Sequence, residues 1–177
     1  MGVIATRWGL FDNYLLSMAS FISNIGTTLD DLKKVYDEDF DDSTLFFLDA
    51  MHRKRHIAVI DEHVSANVTG LSKAYWETCK HIDKEWRYER DLFVHGMFTN
   101  FPGDGWEVSS PRSGWGLPAS LFAQAVDRSH YAARTILALS KAVLTRTEPS
   151  ALEKRPEDPR KLSEIVAEAG SLGWVNP

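Results

Sequence analysis

Arg90-Asp91-Leu92-Phe93-Val94-His95-Gly96 is the stretch of this chain best suited to chemistry. It sets a permanent cation and a side chain of the kind that titrates near neutral pH at the end of one apolar-periodic segment, with a glycine directly behind. A guanidinium matches the oxygens of a phosphate, and an imidazole moves protons efficiently near pH 7. The pairing suits phosphate chemistry. The competing reading is packing, in which Arg90 pairs with Glu89, Asp91 or an acid from another helix and His95 merely ends its helix, a favourable place for a cation. Arg90 falls about 40° from Trp86 on a helical wheel, beside the apolar stripe, where an unpaired cation is costly. On helix geometry alone the packing reading carries more weight.

The segment that presents the motif is the best marked in the chain. Val68, Leu71, Tyr75, Cys79, Ile82, Trp86 and Phe93 form one apolar stripe, which predicts a long helix ending at His95, with Gly70 marking a break near its start and Gly96 as the residue past its end. Other periodic runs predict a helix over residues 5–25 (Trp8, Phe11, Leu15, Met18, Ile22), a short one after Thr28, and one starting at Ser43 or Thr44 (Leu45, Leu48, Met51, Ile57, Ile60, Val64). A long helix is expected over 118–144, with Leu121, Phe122, Ala125, Tyr131, Ala132, Ile136, Leu139 and Val143 as its contacts. Residues 97–118, rich in glycine and proline and carrying Trp106 and Trp115, read as a long connection with room for a short hairpin. The acidic run 37–42 reads as a loop. Residues 147–159 read as a proline-bearing linker, before a short helix that Asp158-Pro159 would start and Gly170 would end. Strand signals are nearly absent elsewhere, so the fold class is all-α: a bundle of four to six helices with one long loop.

Arg-x-x-x-x-His late in a helix of an all-α bundle resembles the signature of the HEPN superfamily, of which many members carry Arg-Asn-x-x-x-His-Gly. Here Asp91 stands at the asparagine position and Gly96 matches. The resemblance covers the bundle from Trp8 to Leu144 and implies a HEPN-like domain over residues 1–146, with 147–177 as a linker and short helix packed on it. It implies a metal-independent ribonuclease. Arg90 would stabilise the scissile phosphate, His95 would act as general base or acid for attack by the ribose 2′-OH to leave a 2′,3′-cyclic phosphate, and Asp91 would orient either. It also implies RNA as substrate, an antitoxin protein as partner in a toxin–antitoxin, defence or stress system, and a homodimer. Five residues along an ideal helix separate two side chains by about 140° and ~7.5 Å, so one straight helix does not converge Arg90 and His95 on one phosphate. The dimer's seam would then run along this helix. On that reading Arg90→Ala weakens phosphate binding and spares the fold. The alternative is a HEPN-like helical module without catalysis, serving as a binding or scaffold protein.

The remaining features narrow the field. A net charge of −5 excludes a broadly nucleic-acid-coating protein and confines any such contact to a local patch. His52-Arg53-Lys54-Arg55-His56 is the one concentrated basic cluster; it reads first as a solvated helix face, with a phosphate-backbone contact as the alternative, strengthened if it borders the Arg90 cleft. His52 and His56 have the spacing of helical metal ligands, but the cations between them repel a metal, and neither metal nor cofactor is expected. Cys79, the single cysteine, sits on the apolar stripe and reads as core. There is no Gly-x-Ser-x-Gly elbow and no phosphate-binding glycine loop. No signal peptide or membrane span is visible, so a cytoplasmic protein is expected.

Overall fold

Apolar residues at steps of three and four set the helices of this computed structural model, which describes residues 2–22, 50–101, 105–110 and 115–159. Helix α1 (Gly2–Ile22) buries Ile4, Trp8, Phe11, Leu15 and Met18 on one face. Only two of its residues are charged, Arg7 and Asp12. Helix α2 (Ala50–Asn67) buries Ile60 and Val64, and α3 (Gly70–Glu85) buries Tyr75, Trp76, Cys79 and Ile82. A short α4 (Arg87–His95) follows, and a 24-residue α5 (Phe122–Thr145) closes the bundle, packing most extensively on α1. The architecture is an all-α helical bundle. The expected second helix after Thr28, the acidic run and the helix beyond Pro159 lie outside the described residues.

One expectation about the motif segment is corrected. The long helix is broken at Trp86, whose backbone leaves helical geometry at φ −105° and ψ 0°. Neither proline nor glycine causes the break. Trp86 is fully buried, its ring packs on Tyr131 at 6.1 Å, and its indole N–H donates to Asp158 Oδ1 at 3.0 Å. These contacts reward the bend, which gives the motif a short helix of its own. Gly96 lies just past the end of the helix, as its place behind His95 predicts; it is extended (φ −77°, ψ 160°) and carries the chain straight into a strand. Gly70 does sit at a break, with φ +64°, and this shift of register leaves Leu71 on the surface.

The described residues between 97 and 118 form three antiparallel strands, more than the short hairpin the sequence suggested. Strands β1 (Met97–Phe101), β2 (Gly105–Ser110) and β3 (Trp115–Pro118) lie in the order β1-β2-β3, with Phe98 opposite Val108 and Val108 opposite Leu117. Val108, on the central strand, is fully buried and ties the sheet to the core. Trp106 and Trp115 fall in β2 and β3.

The supposed linker is a packed strap. Proline at 149, 156 and 159 keeps residues 147–159 out of helix, and they run along α3 from its first turn to its last. Glu148 Oε2 accepts the Ser72 backbone N–H at 3.2 Å, capping α3 from a distant part of the chain. Tyr75 donates to the Ser150 carbonyl at 2.8 Å, Leu152 packs on the core, and the Arg155 guanidinium lies 5.8 Å above the Trp86 ring. Asp158 gathers Trp86, His81 and Arg155. Burial works against its charge, yet the hydrogen bonds from those three groups outweigh it and hold the carboxyl at about 2.

The deepest polar feature is an ion pair between α4 and α5. Arg128 Nε and Nη2 donate to Glu89 Oε2 at 2.8 and 2.5 Å, with both side chains almost completely buried. Burial pushes the Glu89 carboxyl up and Arg128 pulls it back only in part. Arg128→Met alone should cost about 3–5 kcal/mol, because it strands a buried carboxylate. Adding Glu89→Leu should recover most of that loss, and a chemical-denaturation double-mutant cycle measures both. Asp158 gives a second expectation. Its folded pKa lies below the ordinary ~3.9, so its contribution is complete above about pH 4 and lost as pH falls through about 2. Melting temperatures of the parent and Asp158→Asn should therefore differ above pH 4 and converge toward pH 2.

Candidate functional site

The motif residues take up very different surroundings on α4. Arg90 faces back across the bundle to α1, where its Nε and Nη2 donate to Asp12 Oδ2 at 2.9 and 2.6 Å. Its Nη1 donates to Asp91 Oδ1 at 2.5 Å. Burial alone would pull the guanidinium's pKa down, but Asp12 and then Asp91 outweigh it and hold the group above its already high ordinary value. Asp91 is also approached by Arg87 Nε, at 4.0 Å. His95 ends α4 with its side chain exposed to solvent.

Arg53 joins the same cluster from α2. Its Nη1 donates to Asp12 Oδ1 and its Nε to Asp83 Oδ1 on α3. Its guanidinium also lies 5.8 Å from the centre of the Phe11 ring. One carboxylate on α1 thus bridges two arginines, one oxygen to each. With it stand three guanidiniums (Arg53, Arg87, Arg90) and two further carboxylates (Asp83, Asp91), so the formal charges of these six groups cancel. Such an arrangement holds an oxyanion between two planar donors, the task for which arginine is better built than lysine.

The packing partners that the sequence suggested for Arg90 are half right. Asp91 and an acid from another helix do bind it, whereas Glu89 turns the other way to Arg128. The basic cluster does border Arg90, and it splits by face: Arg53 and His56 are buried, while Lys54 and Arg55 face out. The reading of that run as a solvated face is corrected for Arg53 and His56, and the His52 side chain lies outside the described residues. Cys79 is core as expected, where burial pushes its thiol far up.

Asp12 and Asp83 were missed as site residues, and Arg53 was read only within its basic run. Two of them carried a readable signal. Arg53 continues the Ile57, Ile60, Val64 spacing of α2 by one step, so its place on the inner face was visible. Asp12 is the one acid in α1 and sits next to the buried Phe11. A cleft of about 520 Å³ elsewhere on the bundle is lined by residues such as His63, Ser72, Arg146 and Glu148, and none of the motif residues reaches it. Among the described residues, no helix is long and apolar enough to cross a membrane.

No protein-family model, no curated protein and no solved structure matches this chain.

The two motif ends should respond oppositely to truncation. Arg90→Ala removes three charge-assisted hydrogen bonds and leaves Asp12 and Asp91 short of a partner, a loss of about 2–3 kcal/mol. That reverses the expectation that Arg90 is dispensable to the fold. His95→Ala should change stability by less than about 0.5 kcal/mol, as for an exposed side chain. Urea titrations of the two variants beside the parent test the contrast.

Proposed function

We propose that this is a HEPN-like helical protein that engages RNA at the end of α4, with Arg90 as the phosphate ligand and His95 as the proton-transfer group. The observation that carries the reading is the state of Arg90: its guanidinium already makes three hydrogen bonds to carboxylate oxygens, the contacts a phosphate oxygen would accept in their place. The reaction is metal-independent cleavage. His95 takes the proton of the ribose 2′-OH, the 2′ oxygen attacks phosphorus, and the 5′ oxygen leaves with a proton drawn from water, giving a 2′,3′-cyclic phosphate and a 5′-hydroxyl end. Asp91 holds Arg90 in orientation. Because α4 separates Arg90 from His95 by more than a turn, the complete site is shared between two copies, each contributing to one cleft. An antitoxin-type protein would be a natural partner for such an activity in a toxin–antitoxin or stress system.

One observation favours the second reading, a HEPN-like binding or scaffold module without catalysis. Arg90 is committed to Asp12 and Asp91 within one chain and contributes to holding α1 against α4. Incubation of a mixed RNA pool with the purified protein in EDTA, beside His95→Ala, separates the two. Cleavage by the parent alone with cyclic-phosphate ends, together with a dimer by sedimentation, is the expected result. A monomer that cleaves nothing while remaining folded would overturn the ribonuclease reading in favour of the module.

A further inference from the structure

We infer that Asp12 occupies a two-arginine oxyanion site, and that a phosphate group binds there by displacing it. The inference rests on the reading of Arg90 as a phosphate ligand and deepens it by adding Arg53 as a second ligand and Asp12 as an internal competitor. Arg53 from α2 and Arg90 from α4 converge on one carboxylate, and each takes a different oxygen of it. The two non-bridging oxygens of a phosphodiester present the same pair of acceptors. Exchange puts one negative charge between the two arginines in place of another and leaves the Asp12 carboxylate to be solvated at the edge of the cluster.

The neighbours of the two arginines make the exchange practicable. Each arginine keeps a second carboxylate when Asp12 leaves, Asp83 on Arg53 and Asp91 on Arg90. The pair therefore stays aimed at the vacated position rather than swinging into solvent. Asp12 is also the more accessible partner: its side chain is 25% exposed against 10% for Arg53 and 19% for Arg90.

The consequence for function is an RNA site that is closed in the free protein. An RNA phosphate must compete with a carboxylate held at high effective concentration, which lowers affinity until Asp12 is moved aside. This accounts for a phosphate-binding motif in a chain of net charge −5 without a broad basic surface.

Asp12→Ala and the isosteric Asp12→Asn test it, each melted in chloride and in inorganic phosphate at equal ionic strength. The expected result is a lowered melting temperature in chloride and a saturable recovery of several degrees in phosphate that the parent does not show. The recovery should vanish when Arg90→Ala is added to either variant. Equal shifts for parent and variants, or failure of both variants to fold in phosphate, would overturn the site. The second arm measures binding of a labelled oligoribonucleotide, expected to be tenfold or more tighter for Asp12→Asn than for the parent. Recovery by phosphate with no gain for RNA would leave the oxyanion site standing and overturn the RNA reading beneath it.

Discussion

Asp12 is the interaction on which the arrangement of the motif depends. It is the one acid in α1, and both of its oxygens are taken, one by Arg53 and one by Arg90. Through those contacts a single side chain joins α1, α2 and α4, and Asp83 extends the chain of pairs to α3. Charges placed so close to an apolar core are tolerated only when each is paired and hydrogen-bonded. The same requirement that holds the helices together therefore fixes where the motif arginine points.

Two ionic centres flank α4 and do different work. Glu89 with Arg128 is dry and almost inaccessible, which suits a locking contact between α4 and α5 and leaves no route for a ligand. The Asp12 cluster is partly open to solvent, holds more than one arginine and has a carboxylate that can be exchanged. Neighbours on one helix stand about 100° apart, so Glu89 reaches α5 and Arg90 reaches α1 from the same short α4. Trp86 holds the bend through Asp158, so the strap over residues 147–159 bears indirectly on the motif.

His95 stands apart from this machinery. Exposed at the end of α4, it sits where α4 gives way to the three-stranded sheet, and the sheet is anchored by Val108. A histidine projected into solvent suits a residue completed by something outside the chain. A second copy and an RNA strand are the two candidates the proposed chemistry requires.

The sequence by itself determined the helices and most of the core. Burial at steps of three and four writes itself into the order of apolar residues, and Trp8, Phe11, Cys79, Ile82, Ala132 and Ile136 lie where that spacing put them. It also marked Arg90 as a cation on an apolar edge, hence one in need of a partner. It did not supply the partner, because Asp12 is 78 residues away and pairing across a bundle leaves no local pattern. The break at Trp86 was hidden for a related reason: its cause is the grip of Asp158 and Tyr131, and neither is near in sequence. Periodicity encodes which face of a helix is buried. Only tertiary packing decides which buried charges meet, since that choice depends on how the helices are set against one another.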